Sequence, residues 1–395
     1  MTLALSDVTV LDFGQIFQGS YATVLMAKAG ANVIKIEPPG GEPLRKRTPP
    51  GAKTTMSFAM LNANKRAITL NLKTPRGREL LFDMVKRADV VLENFGPGAM
   101  DRLGVGWEVL HALNPRLIYA SGTGYGLSGP SRDNLAMDLT VQAASGIMSV
   151  TGFEDGPPVR AGVTVADFMG GTHLYAGILT ALYERDRSGQ GRLVEIAMQE
   201  AVYYTLAGSL EQYNRTGKVP KRSGNDGNGA ISPYGVYPVK DGFVAIHTGT
   251  EGHWHNILDA AGRADLKDEP RFLTMHDRAA CAEDVNAIVA AWTSGLTKAE
   301  AVAQAQKFRI PLAPVRDVTE VMRDEHMHGR GALEWVDHPD LGHVVMPTTP
   351  LRLHGLDVAT MAPSPRVGQH NDEIYGGWMG LSAAQITALR DEGAI

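Results

Sequence analysis

VTVLDFGQIFQGSYATVLMAKAGANVIKIE, residues 8–37, sets two β-rich apolar runs, VTVLDF (8–13) and NVIKIE (32–37), on either side of a helical pattern spanning about 21–30. That is a strand, helix, strand unit. A second unit follows, with AITLNL (67–72) as strand, 77–88 as helix and DVVLENF (89–95) as strand. A helix over 107–113 then leads into RLIYASG (116–122). Alternation of this kind predicts an α/β fold with a Rossmann-like parallel sheet flanked by helices, whose ligands gather at the carboxyl ends of the strands. Asn71, Leu72 and Lys73 stand at one such end, and Asn94 and Phe95 at another.

Further along, His173, Leu174, Gly177, Ile178, Ala181 and Leu182 recur at three- and four-residue spacing, which predicts an amphipathic helix over 169–187. The turn RSGQG (187–191) follows it, and RLVEIAM (192–198) reads as a strand. Beyond that the pattern changes. Residues 216–233 are rich in glycine, basic and polar residues and read as a linker or loop. The hairpin-like pair YGVYPV and GFVAIH and helical segments around 254–261 and 283–292 then suggest a smaller α+β domain. EWVDH and HVVMPTTPLRL, near 333–353, suggest strands, and 382–391 a last helix. The expected division is a large domain from both chain ends (1–205 and 330–395), a linker (206–229) and a small domain (230–329).

At 395 residues the chain exceeds the size at which a single core keeps growing, so two domains are expected. Hydrophobic residues make up 44% and charged residues 21%, the balance of an ordinary globular protein rather than a disordered one. Cys281 is the only cysteine, which rules out an internal disulfide and leaves thiol catalysis a poor reading. No apolar run is long enough for a membrane span and the N-terminus lacks the pattern of a secretory signal, so a cytoplasmic protein without membrane association is expected. A net charge of −5 argues against nonspecific nucleic-acid binding. Yet residues 43–78 carry nine Lys or Arg (Arg45, Lys46, Arg47, Lys53, Lys65, Arg66, Lys73, Arg76, Arg78) and no Asp or Glu. Such a stretch is either a solvated basic face or a positive field for an anionic ligand.

Asp167 falls where the apolar run VRAGVTVA (159–166) meets the helical pattern, at or near the expected N-cap. It is a capping carboxylate or a nucleophile. In either role the helix dipole is expected to hold it ionised, which suits attack on an acyl group. Asp138, a lone acid in the helical stretch NLAMDLTVQAASG, is a structural acid or a catalytic partner. The glycine string SGTGYGLSGP (121–130) follows a strand but has no helix after it, so it offers no pyrophosphate site of the dinucleotide type. His247, His253 and His255 lie close in sequence without cysteine or a second carboxylate, so no metal is expected. GxSxG and P-loop motifs are absent.

Several segments in this order resemble the class III coenzyme A transferases (CaiB/BaiF type), the family of formyl-CoA:oxalate and carnitine CoA-transferases, with acyl-CoA racemases as relatives. They are AGANVIKIEPPGGEPLR (29–45), NKRAITLNLKTPRGREL (64–80), ADVVLENFGPGAMDRLGVGW (88–107), DLTVQAASGIM (138–148), AGVTVADFMGG (161–171) and RSGQGRLVEIAMQEA (187–201). The resemblance covers nearly the whole chain. It implies that Asp167 matches the family nucleophile, which attacks an acyl-CoA thioester and carries covalent aspartyl intermediates, a mixed anhydride and an aspartyl-CoA thioester. Asp138 would then orient the acceptor or tune the nucleophile. By the same resemblance Asn71, Leu72, Lys73, Asn94, Phe95 and Arg102 line the coenzyme A path, and Gln15 lies in a loop that touches the carrier. Pro38 and Pro39 stand where some relatives carry a basic residue, which passes the phosphate pairing to Arg45 or its neighbours. Phe17 and Gln18 depart from a usual small-residue pattern, a place where donor or acceptor preference would be written.

The glycine-rich lid of the family corresponds to TGTEG (248–252), with Gly249 and Gly252. The related racemases place a histidine base where this chain has Met137, and a thioether takes no proton at neutral pH, so the racemase or isomerase alternative lacks one of its two bases. The resemblance further implies an interlocked homodimer, coenzyme A thioester as substrate with no permanently bound cofactor, and a carboxylic acid acceptor. A small dicarboxylate such as succinate is the family-weighted choice.

Overall fold

The computed structural model describes residues 3–227 and 230–395. Asn228 and Gly229, at the end of the expected linker, lie outside the described residues. The chain folds into two compact units. The first takes residues from Met1–Ser145, Gly162–Thr205 and Asp324–Ile395, the second from Gly146–Ala161 and Leu206–Arg323. Residues 146–161 thus group with the second unit, whereas the sequence pattern assigns them to the first.

Six strands form one sheet in the first unit: β1 (Thr9–Asp12), β2 (Asn32–Glu37), β3 (Arg66–Thr69), β4 (Val90–Glu93), β5 (Ile118–Thr123) and β6 (Leu193–Ala197). Their order is β3-β2-β1-β4-β5-β6, and every pairing is parallel. Between β1 and β2 runs helix α1 (Gln18–Lys28), which begins three residues earlier than the apolar pattern suggests. Strands β1 to β5 read as apolar runs because both faces of the sheet are covered there, whereas the edge strand β6 stays partly exposed. Leu11, Ile34, Ile68 and Val91 face one cluster with Leu81, Met84, Ile374 and Tyr375, while Val10, Val33, Val90 and Ile118 face another with Ala22, Met26, Leu174 and Ile178. Neighbouring residues go to opposite clusters, as a period of two requires. The C-terminal segment closes the first of these faces: the Asn71 N–H donates to the Ala394 carbonyl at 2.8 Å.

Strand order reverses between β2 and β4, which lie on opposite sides of β1, so chain segments diverge there and leave a crevice at the carboxyl ends of β1 and β4. The crevice loop, residues 14–18, is pinned from beneath by fully buried charges. Asp12 accepts from the Gly14 N–H at 2.8 Å and pairs with the Lys65 ammonium at 2.9 Å. Lys65 also reaches Ser20 O, Thr23 Oγ1 and Asn62 Oδ1. Lys35 donates to the Gly14 carbonyl at 2.8 Å and sits 3.4 Å from Glu42, which in turn accepts from the Ile16 N–H at 3.2 Å. Ile16 has φ of 58°, a left-handed conformation that is uncommon for a non-glycine residue and worst for a β-branched one. The Glu42 contact helps hold it there.

Two helices frame the far side of the crevice. One is α2 (Asp138–Ala144) and the other α3 (Val165–Ser188), 24 residues long and ended by Gly189 at φ 75°. The apolar run at 159–166 forms no strand. Val159 and Val163 are exposed, and the helix begins at Val165, four residues earlier than predicted. β7 (Leu333–His338) and β8 (Gly342–Pro347) pair as an antiparallel hairpin in the same unit.

In the second unit, strands Tyr234–Val239, Gly242–His247 and Leu312–Pro314 form an antiparallel sheet. Its core gathers Tyr237, Val244, Ile246, Trp254, Ile257 and Val289, with helices Glu251–Ala260, Ala282–Thr293 and Lys298–Phe308 supplying the other face. The segment expected as a linker contains a ten-residue helix, Ala207–Thr216, which Gly217 ends in the left-handed conformation.

Candidate active site

Loop 14–18 and strand β4 are tied by a reciprocal pair of hydrogen bonds. The Gln15 N–H donates to Asn94 Oδ1 at 2.7 Å, and Asn94 Nδ2 donates to the Gln15 carbonyl at 3.0 Å. An asparagine side chain thereby mimics a strand partner across the switch point. The cavity above it, about 500 Å³, is lined by Gln15, Ile16, Gln18, Asn94, Phe95, Arg102, Thr123, Met137, Asp167 and Met198, among others. That volume lies in the range of small-molecule sites. Of the residues expected from sequence, Asp167, Gln15, Asn94, Phe95 and Arg102 come together on its wall. Residues 132–137, from the loop after β5, also line it.

Asp167 is the third residue of α3 and not its cap. The N-cap Thr164 makes no side-chain cap bond. The free amides of this first turn are taken instead by Asp138 Oδ1, which accepts from the Ala166 N–H at 2.8 Å and the Asp167 N–H at 3.2 Å. Asp138 Oδ2 accepts from Gln142 Nε2 at 2.6 Å. One carboxylate, held by its own helix, thus caps another helix and stands beside the second carboxylate.

The consequence for Asp167 corrects the expectation that it is held ionised. Burial, followed by repulsion from Asp138, raises its pKa to about 7, with only partial relief from Arg47. Arg47 is exposed and lies in the 3-10 turn Arg45–Arg47. It belongs to the basic stretch of the sequence, but nothing in its spacing singles it out.

The native state keeps the Asp167 proton between its ordinary pKa of 3.8 and about 7, so ionisation costs stability as pH rises through that interval. Asp167→Asn is therefore expected to melt at a higher temperature than the parent above pH 7, with the advantage gone below about pH 4. Thermal melts across pH check this; a variant less stable at pH 8 would contradict it.

Other expected ligands are not brought to this cavity. Arg45 gives both guanidinium arms to Glu37, at 2.7 Å each, donates to the Pro365 carbonyl and stacks 3.9 Å over Phe58. Its Nε and Nη2 are thereby engaged in the buried charge layer. Leu72 is buried in the core, and Asn71 Nδ2 donates to the Gly393 carbonyl at 3.0 Å. Lys73 is exposed beside them at the carboxyl end of the edge strand β3. In the second unit, Thr250 caps helix Glu251–Ala260 by accepting from the His253 N–H, which places Gly252 inside a first helical turn. Gly249 alone of the two expected lid glycines lies in the turn before it, its N–H donating to His253 Nδ1 at 3.2 Å. Among the described residues no group of three or more His, Cys, Asp or Glu is placed to hold a metal.

The sequence profile of CoA-transferase family III matches residues 5–371. The chain belongs to that family. It is 36% identical over 413 residues to formyl-CoA:oxalate CoA-transferase of Streptomyces avermitilis, covering 100% of both chains. It is 35% identical over 389 residues to succinyl-CoA–D-citramalate CoA-transferase of Chloroflexus aurantiacus, covering 98% of this chain and 96% of the relative. Among solved structures, a CAIB/BAIF family protein from Brucella suis superposes with a TM-score of 0.85 at 32% identity, over 95% of this chain and 100% of that one.

Two wall residues of this CoA-transferase, Met198 and Thr123, are not legible in the sequence as site components. Met198 reads as the end of a strand, but begins the helix Met198–Tyr203 that follows β6. Thr123 closes β5, one residue past the expected strand end. Gln18, which the resemblance marks as a place for donor or acceptor preference, lies on the same wall, and its burial against Gly122 and Gly170 depends on contacts between three distant segments. No helix among the described residues is long and apolar enough to cross a membrane.

Proposed function

We propose that this CoA-transferase moves coenzyme A from an acyl-CoA donor to a free carboxylic acid through covalent intermediates on Asp167. The observation that carries this reading is Asp167 itself: a carboxylate on the wall of the switch-point cavity, with its pKa raised to about 7. A carboxylate of that basicity is a stronger nucleophile than an ordinary one and is still half ionised near neutrality. Its oxygen attacks the thioester carbon, the carbon–sulfur bond breaks, and a mixed anhydride and coenzyme A thiolate result. The thiolate then attacks the aspartyl carbonyl and releases the donor acid as its carboxylate. The acceptor carboxylate next displaces the thiolate from the aspartyl thioester, forming a second anhydride. Attack of the thiolate on the acceptor acyl carbon gives the new thioester and restores Asp167. Every step exchanges one acyl bond for another, so no oxidant or metal is required.

Gln15, Asn94, Phe95 and Arg102 would guide the pantetheine arm along the cavity. Asp138 would act through the first turn of α3, fixing the position and basicity of Asp167. Small dicarboxylates are the proposed acids. The names of the relatives pair coenzyme A with oxalate and with citramalate, and Arg47, Arg102 and Arg132 put positive charge at or near the cavity. A racemase is not favoured: Met137, on the cavity wall, supplies no base. A homodimer in the cytoplasm completes the reading. Its support is the exposure of large apolar side chains, Leu135 (95%) and Tyr204 (81%) in the first unit and Val219 (76%) in the second.

The test is a matrix of acyl-CoA donors against mono- and dicarboxylic acids, read by mass spectrometry of the new thioesters. New thioesters formed with dicarboxylates support the reading; α-proton exchange without transfer supports the racemase instead. Because Asp167 must be ionised to attack, kcat/KM is expected to rise with pH through a midpoint near 7. Arg47→Met should move that midpoint upward, since the nearby cation lowers the Asp167 pKa.

A further inference from the structure

Gln18 is the first residue of α1, only 2% exposed, and its Nε2 has no hydrogen-bond partner in the protein. Buried amides almost always find one, so an orphan of this kind calls for a physical reason. The side chain has a built seat. A Cβ added at Gly122, in β5, would meet the Gln18 carboxamide at 2.9 Å, and one added at Gly170, in α3, would meet Gln18 Nε2 at the same distance. Both positions are glycine, and the carboxamide fills the space their side chains would occupy. Gly170 lies three residues after Asp167 in one helix, so the two share a face. The carboxamide therefore packs on the face of α3 that carries Asp167, and Gln18 and Asp167 line the same cavity.

We propose that the Gln18 carboxamide is the hydrogen-bond donor to the carbonyl oxygen of the acyl group joined to Asp167, stabilising the negative charge that develops there in each addition. The proposal rests on the covalent reading above. Every step of that reading passes through a tetrahedral carbon whose oxygen gains charge. A neutral N–H donor, fixed beforehand in a site shielded from solvent, is suited to that task. A lysine there would pair with Asp167 and lower its pKa. An amide leaves that basicity intact.

Gln18→Met keeps the length and removes the donor, and Gln18→Glu keeps the shape while replacing the amide with a carboxyl. Transfer in Gln18→Met is expected to fall by about 10²–10³-fold in kcat, with KM for acyl-CoA within about threefold of the parent. Its melting temperature should be equal or higher, because a buried unpaired amide is lost. A merely structural Gln18 would give the reverse, a lower melting temperature with kcat retained, and that result overturns the proposal. Gly122→Ala, whose Cβ would meet the Gln18 carboxamide at 2.9 Å, should reproduce the kcat loss and serves as the second variant if Gln18→Met does not fold. Hydroxylamine trapping on the parent enzyme keeps the two claims separate. If the parent yields no Asp167 hydroxamate, the covalent reading fails, whatever the Gln18 variants do. If it does and Gln18→Met turns over normally, only the present proposal falls.

Discussion

Asp167→Ala is expected to lower transfer by at least about 10³-fold while leaving coenzyme A affinity within about tenfold, because a covalent route loses its only acceptor atom and binding comes from other groups. The protein should remain folded, since the variant removes a carboxylate whose burial the native state resists. Mass spectrometry of thioester products, calorimetry with coenzyme A and a thermal melt measure the three quantities. Turnover within tenfold of the parent would remove Asp167 from the mechanism. Asp138→Asn provides the contrast. It keeps an oxygen for the Ala166 and Asp167 amides but takes away the neighbouring charge, so a loss of only about tenfold is expected. The pH midpoint should also move downward, as the second cause of the raised pKa disappears.

The largest stability effect is expected at Lys65, beneath the crevice loop and off the cavity wall. Its ammonium is completely buried and serves four acceptors: Asp12, Ser20, Thr23 and Asn62. Lys65→Met strands a buried carboxylate with its main cation gone, which typically costs about 3–5 kcal/mol. Burial lowers the Lys65 pKa to about 8, more than attraction to Asp12 restores. The ammonium is thus not comfortable where it is, and the cost of losing it arises from the partner left behind. The double variant Asp12→Asn/Lys65→Met should accordingly recover half or more of the loss. Denaturant titrations of the single and double variants decide this, and equal destabilisation in both would show that the ion pair is not the cause.

The parallel sheet is legible in the sequence because its first five strands, buried on both faces, read as continuous apolar runs bounded by turn residues. NVIKIE even carries its buried Lys35 in plain view, though nothing local says which carbonyl and carboxylate receive it. The clustering of Gln15, Asn94, Phe95 and Asp167 is legible only through resemblance and through the rule that ligands meet strand ends. The pairing of Arg45 is hidden for a definite reason. A cationic run next to an expected anion site looks like a ligand set, while the Glu37 that consumes its fork sits eight residues earlier in an apolar strand. The start of α3 is hidden because its cap comes from Asp138, a residue of another helix 28 positions upstream in the chain from Ala166. Local capping rules see only neighbouring side chains. The raised pKa of Asp167 follows from the same tertiary contact and is equally hidden.

The seat of Gln18 also constrains how this enzyme can diverge. Because the carboxamide occupies the volume that side chains at 122 and 170 would need, a larger residue at either glycine and a long residue at 18 exclude one another. Descendants that take alanine at 122 are expected to shorten residue 18 as well, and those that take it at 170 must also yield at Met198, whose Cγ stands as close, so these positions should drift together and laboratory evolution of acid preference should reach them as a group.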